Sequence, residues 1–256
     1  MIGKIALVGA ACAALGLTAQ AEADAIYTAS GSIDIGGGNF DSASAKAVFS
    51  LSGNTLTITL TNTSSANAQE TPTNTLTGIA FSFQNVRLAL TPVSAISPSA
   101  IFDSADCASG EQTVCATGPV NVAGEWGLDN GTYSSASDVV ASAGYITTGL
   151  MGDIGNFNAG AAGTNLAGPN ALDGIQMGIL SSTHGTLNGG LSGNALIMDT
   201  VVLTLTGVSN DLVGQSLANL TGRSFLYGTS PDATLPATVT IAEDSGAGPA
   251  PEPAPL

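Results

Sequence analysis

Charge is what this chain has least of. Asp, Glu, Lys and Arg make up 9 % of its 256 residues, against ~25 % in ordinary soluble domains. Cations are scarcest: Lys4, Lys46, Arg87 and Arg223 face 19 carboxylates, for a formal net charge of −15. A nucleic-acid binder needs a basic face to neutralise phosphates, and four cations cannot build one. The same deficit argues against docking on anionic lipid. Water-facing helices are usually filled with Glu, Lys and Arg, so the poverty in charge also argues against an α-rich fold. Aromatic residues are 5 % of the chain, so the core must come from Val, Ile, Leu and Ala. Histidine occurs once, as His184, and cysteine three times.

What the chain does have is alternation. In Asn54-Thr55-Leu56-Thr57-Ile58-Thr59-Leu60-Thr61-Asn62, aliphatic residues alternate with threonines. Side chains on a strand point to opposite faces in turn, so this stretch has one apolar and one hydroxyl face. Threonine is β-branched and favours extended backbone even on the wet side. Gly53 and Asn62 flank it as turn formers. The stretch from Met198 to Gly207 repeats the plan, with Val201, Leu203 and Leu205 on one side. Burying one Leu or Ile contributes about 1.5–3 kcal/mol, so each stripe must find a facing layer. The expected fold is all-β: an antiparallel, jelly-roll-like β-sandwich.

The first 25 residues read as a secretory signal peptide, a signal helix ahead of the domain. Lys4 supplies the positive start, Ile5 to Leu17 the apolar run, and Ala19-Gln20-Ala21 and Ala23-Asp24-Ala25 two small-x-small cleavage sites. The apolar run is too short to span a bilayer. Cys12 lies within it, with Gly9 where a lipidation site wants a Leu-like residue. Cys107 and Cys115 then remain as a pair, and in an exported chain a pair suggests a disulfide. Closing that short loop stabilises by about 2.5 kcal/mol in the chain-entropy picture.

Further strands are expected over Ile26–Ile35, Ala45–Leu51, Leu76–Phe83 with a continuation through Val86–Leu90, Asp138–Thr148, Gly174–Leu180, Ala195–Val208, Arg223–Tyr227 and Ala237–Ile241. Pro92 and Pro98 frame an irregular link, Gly149–Pro169 reads as a long ordered loop, and Asn210–Leu220 has room for a short helix. The domain organisation is therefore a leader over 1–25, a sandwich domain over 26–242, and a flexible Pro/Gly/Ala-rich tail over 243–256.

Several stretches in order carry a resemblance. They are Phe49 to Thr63, Leu76-Thr77-Gly78-Ile79 with Phe81, Glu125-Trp126-Gly127, Asp173-Gly174-Ile175-Gln176 with Gly178, Leu187 to Leu191, Val201 to Gly207, and Ser224-Phe225-Leu226-Tyr227-Gly228-Thr229. Together they resemble the XDD type of exosortase-dependent (PEP-CTERM) bacterial surface proteins. Pro251-Glu252-Pro253 looks like the opening of that family's C-terminal sorting signal, which normally continues into a membrane-spanning helix and an Arg-rich end. The sequence stops at Leu256 before either. The resemblance implies export in a Gram-negative bacterium and display on the envelope or in the extracellular matrix. It implies sorting machinery as a partner if the chain continues, and exopolysaccharide or other envelope components as neighbours. It implies no catalytic residues.

Candidate chemistry is sparse. A Ser-His-Asp triad would have to use His184, which sits in the turn-like Ser181-Ser182-Thr183-His184-Gly185 without a Gly-x-Ser-x-Gly elbow. One histidine and two spaced cysteines do not make a zinc ligand set. A glycosidase could draw on Glu125, Asp129, Asp153 and Asp173 as paired carboxylates. Calcium is the cofactor these oxygens could hold: Asp153, Asn156 and Asn158 offer oxygens near glycines, as do Asp103 and Asp106, without the terminal Glu of a calcium loop. Glu125 and Trp126 form the candidate sugar-stacking platform, with a core plug as the other reading of the indole. The resulting expectation is a non-catalytic exported surface or matrix protein. A carbohydrate- or calcium-binding sandwich is the alternative, and a secreted glycoside hydrolase the distant third.

Overall fold

The computed structural model describes residues 24–36, 39–65, 69–84, 88–98, 101–103, 114–116, 119–123, 126–134, 137–142, 155–156, 178–188, 191, 195–228, 234–236 and 238–241. Strand β1 (Ala25–Gly36) returns as β2 (Asn39–Ser52), and the turn at Gly53 leads into β3 (Thr55–Asn62). A short β4 (Gln69–Glu70) and a 3-10 turn (Pro72–Asn74) precede β5 (Leu76–Phe83) and β6 (Leu90–Ser97). Next come β7 (Ile101–Asp103), β8 (Val114–Ala116), β9 (Val120–Asn121), β10 (Trp126–Ser134), β11 (Ser137–Ser142) and β12 (Gly155–Asn156). The chain closes with β13 (Ile179–Leu180), β14 (Thr186–Leu187), β15 (Ala195–Met198), β16 (Thr200–Gly207), β17 (Leu220–Tyr227), β18 (Thr234–Pro236) and β19 (Thr238–Ile241).

These strands make an all-β, sandwich-like fold. One sheet has seven strands in the order β19-β1-β2-β3-β16-β6-β9. A second has ten, in the order β12-β10-β11-β5-β13-β15-β7-β8, with β17 on the other edge of β5 and β18 beside it, and β4 and β14 form a separate two-stranded sheet. Among the described strands pairing is antiparallel except for two short parallel pairs, β13 with β15 and β4 with β14. The expected antiparallel rule thus bends where two-residue strands fill gaps, because a pairing that short imposes no hairpin geometry. One apolar cluster lies between the sheets, with Tyr27, Phe49, Leu56, Ile58 and Leu60 from the first and Ile79, Phe81, Trp126 and Phe225 from the second. Phe49 is its hinge: its ring meets Tyr27 edge-on at 5.2 Å and Phe81 across the core at 5.3 Å. Such edge-to-face pairs stabilise beyond the area they bury.

β3 follows its sequence pattern. Leu56, Ile58 and Leu60 are fully buried, and Thr55, Thr57, Thr59 and Thr61 lie half-buried on the outer side. Its two flanking asparagines do more than end a strand. Asn54 Nδ2 donates to Gly207 O at 2.7 Å, and its Oδ1 accepts from Leu212 N at 3.1 Å. Gly207 has no room for a side chain, since a Cβ there would stand 2.6 Å from Asn54 Oδ1 and 2.7 Å from Leu212 N. At the far end Asn62 is buried and crosses between sheets, donating from Nδ2 to Ile179 O at 2.8 Å and accepting at Oδ1 from Ser64 N at 3.1 Å. A buried amide is tolerated there because its donors and acceptor find partners.

Four expectations are corrected. The long strand expected over Ala195–Val208 is two strands in different sheets, because Asp199, at φ 71°, turns the chain from β15 in one to β16 in the other. Leu90 does not continue β5 but opens β6, which belongs to the opposite sheet, and residues 85–87 lie outside the described residues. Pro92 lies inside β6, at the register shift against Thr204 and Leu205, where a missing N–H costs no ladder bond. Asn210–Leu220 holds no helix beyond 3-10 turns at Val208–Asn210 and Leu217–Asn219. The signal helix, the tail, nearly all of the 149–169 loop and residues 174–177 lie outside the described residues.

Candidate functional site

The seven-stranded sheet turns its outer face to water, and that face is written in hydroxyls. Thr28, Ser30 and Ser32 on β1, Ser42, Ser44, Ser50 and Ser52 on β2, the four β3 threonines, and Thr204 and Thr206 on β16 all stand on it. One row across the strands is more apolar, pairing Ile26, Val48, Thr59, Val202 and Ile96. The next row runs Thr238, Thr28, Lys46, Thr61, Thr200. Thr61 and Thr200 share a hydroxyl–hydroxyl bond of 3.0 Å, and Thr200 Oγ1 donates to Asp199 Oδ2 at 2.9 Å.

Around Lys46 the face hollows into a groove of about 360 Å³, lined by Thr28, Ser30, Ser44, Lys46, Thr63 and Thr238, with Pro236 at its rim and Ala29 and Ala45 below. β1 and β2 hold the floor in register, Thr28 opposite Lys46 and Ser30 opposite Ser44. Thr63 Oγ1 donates to Ser44 Oγ at 3.0 Å, and Thr63 N donates to Ser44 O at 2.9 Å. Ser44 N in turn donates to Ser64 Oγ at 3.0 Å. Among the described residues no carboxylate lines the groove, and none pairs with Lys46. The arrangement offers one ammonium and a ring of hydroxyls. Those are groups that can hold a small polar anion.

The residues singled out from the sequence are scattered by comparison. Trp126 opens β10 and is fully buried in the core, with no hydrogen bond to its Nε1. Of its two readings its burial matches the core plug, and an indole with no exposed face gives a sugar nothing to stack on. Its neighbour Glu125 lies outside the described residues, as do Asp153, Asn158, Cys107, Asp106 and the Pro251-Glu252-Pro253 tail. Asn156 falls on β12, Cys115 on β8, Asp103 on β7 and Asp129 on β10, each described by its backbone alone. Among the described residues no group of three or more His, Cys, Asp or Glu gathers to hold a metal ion. No described helix is long and apolar enough to cross a membrane.

His184 sits in the turn after β13, its N–H donating to Ser181 O at 3.2 Å and its Nδ1 to Gly185 O at 3.0 Å. Ser181 is buried and its hydroxyl makes no hydrogen bond. The imidazole therefore does not hold that hydroxyl as a base holds a nucleophile. Nearby Glu70 is buried, with Oε1 accepting from Gly185 N at 3.3 Å and its carbonyl from Asn188 N at 2.9 Å. Glu70 thus ties the β4–β14 corner together. The interior tyrosines are also perturbed. Burial raises Tyr27 and raises Tyr227 further, with Arg223 partly offsetting the first and Ser64 the second. The Arg223 guanidinium lies over the Tyr27 ring at 4.4 Å, placed there by the irregular stretch of β17 between Thr221 and Ser224.

No family model, curated protein or solved structure matches the chain.

Sequence reasoning missed the Lys46 groove. The available signal was composition: Lys46 is the only lysine beyond Lys4, and it stands at the end of the alternation Asp41-Ser42-Ala43-Ser44-Ala45-Lys46. That places it on the serine side of a strand. What the pattern could not supply was Thr63 and Thr238, which arrive from other strands and loops.

Proposed function

We propose that the chain is a non-catalytic exported protein of the Gram-negative cell surface or extracellular matrix, of the XDD-type exosortase-dependent class. The observation that carries this reading is the outer face of the seven-stranded sheet, broad and furnished with hydroxyls rather than ions. A surface of that kind hydrates through neutral groups, so its contacts change little with ionic strength. It suits a protein that works outside the cell among polysaccharides and variable salt. The leader-like start, the ordered sequence stretches of the resemblance and the Pro251-Glu252-Pro253 tripeptide support the same reading, under which Cys107 and Cys115 would pair as a disulfide in an oxidising compartment.

The fold bears on where the leader ends. Ala25 is fully buried and pairs with both Phe49 and Ile241, and Asp24 accepts a hydrogen bond from the Ser50 hydroxyl. Cleavage after Ala25 would remove the first residue of β1 together with this contact. Cleavage after Ala21 leaves both, so supports a mature start at Glu22. Expression of the full chain in a Gram-negative host, fractionation and N-terminal sequencing test the proposal. Recovery outside the cytoplasm with Glu22 first is expected. A cytoplasmic protein that keeps residues 1–21 would overturn it.

A further inference from the structure

We propose that the groove over Lys46 binds a uronic-acid unit of a polysaccharide, with Lys46 on the sugar carboxylate and the surrounding hydroxyls on its ring oxygens. The inference deepens the envelope reading above and rests on it for the source of the ligand. The binding chemistry is local. Lys46 is half-buried on the floor of the groove, and no described carboxylate neutralises it. An ammonium held beside uncharged hydroxyls in a concave site attracts an anion more strongly than the same group on an open surface. The hydroxyls of Thr28, Ser30 and Thr238 have no partner among the described residues. Ser44 Oγ already accepts from Thr63, which leaves the Ser44 hydrogen to donate to a ligand.

Size and charge narrow the ligand. At about 360 Å³ the groove lies near the small end of ligand pockets and takes about one or two sugar rings. A bare inorganic anion would satisfy Lys46 and leave most of the hydroxyls idle. A neutral sugar would leave the ammonium without a counter-charge. A sugar bearing a carboxylate answers both. The chain's formal charge of −15 disfavours laying a long polyanion along the sheet. Screening over about 8–10 Å lets a single unit or chain end approach Lys46 at physiological salt.

The test uses the purified exported chain, so failure to bind is separate from failure to be exported. Trigalacturonate, galactotriose and inorganic phosphate are titrated by calorimetry, with amide shifts of Thr28, Ser44 and Thr63 followed by NMR. Trigalacturonate is expected to bind and to shift those amides. Lys46→Gln should weaken it about tenfold, and Lys46→Arg should keep affinity within about threefold. Thr63→Val should weaken trigalacturonate and leave any phosphate binding unchanged. Absence of trigalacturonate binding, shifts located elsewhere, or equal affinity for phosphate and trigalacturonate would each overturn the proposal. So would unchanged affinity in a folded Lys46→Gln. If that variant does not fold, the wild-type shift map and the phosphate comparison decide alone.

Discussion

β3 and β5 are strands of equal length on opposite sides of one core, and they are buried in different ways. β3 buries alternate residues, and its threonines look outward. β5 buries seven of eight, Thr77 and Ala80 included. β5 lies inside the ten-stranded sheet, bonded to β17 on one edge and to β11 and β13 on the other. That sheet is packed on both sides nearby: Ile179 and Ile197 enter the main core, while Leu180, Leu191 and Leu196 form a second small cluster. A threonine therefore means different things on the two strands. On β3 its hydroxyl meets water. On β5 the Thr77 hydroxyl is buried and lies 2.9 Å from Gly228 O and 3.1 Å from Leu226 O. Alternation marks a sheet with one wet face, and its loss marks a sheet covered twice.

The largest test of this contrast is the joint between the two layers. Phe49→Ala removes the ring that touches both Tyr27 and Phe81, and should cost about 3–5 kcal/mol in urea unfolding. A loss under about 1 kcal/mol would mean that the layers are not locked there.

Thr77→Val is next. It keeps the shape and removes a buried donor, leaving the Leu226 and Gly228 carbonyls with one partner fewer. A loss of about 1–2 kcal/mol is expected from the same unfolding curve.

Tyr227→Phe tests the covered layer through pH. The Tyr227 hydroxyl is buried without a well-formed hydrogen bond, and burial raises its ionisation above the ordinary value of 10.0, as it does for Tyr27. The unfolded phenols ionise first as pH rises, so the stabilising preference for neutral tyrosine is complete below pH 10. It is lost as pH climbs toward the folded values. Wild-type stability should therefore be level across neutral pH and fall above about 10. Tyr227→Phe should stay within about 1 kcal/mol of wild type at pH 7 and show a shallower alkaline fall. An equally steep fall would assign the pH dependence to other groups.

The smallest effect is expected at Thr57→Val, on the wet face of β3. A change within about 0.5 kcal/mol is the expected outcome. Should Thr57→Val cost as much as Thr77→Val, the contrast between the two strands would be gone.

Where one face is wet, the pattern was readable residue by residue: the β3 stripe and the turn at Gly53 follow from alternation and turn chemistry. Asn62 shows the limit. Its type predicts a strand end, and it does end β3, but its bond to Ile179 O depends on a segment more than a hundred positions away. Trp126 left two roles open, and burial favours one of them. Asp199 is unremarkable in an apolar-polar run, yet its positive φ divides one expected strand between two sheets. The groove was the least legible feature, because Lys46 acquires meaning only when Thr63 and Thr238 are brought beside it.

Composition and period two settled what kind of protein this is: β-strands with aliphatic inner faces and neutral hydroxyl outer faces, since a chain with so few ions can wet itself in few other ways. Tertiary structure alone decided which strands became neighbours, which polar groups were sealed inside, and where a single cation would meet a ring of hydroxyls. Local sequence controls the direction in which a side chain points, whereas a site requires side chains from distant strands to converge.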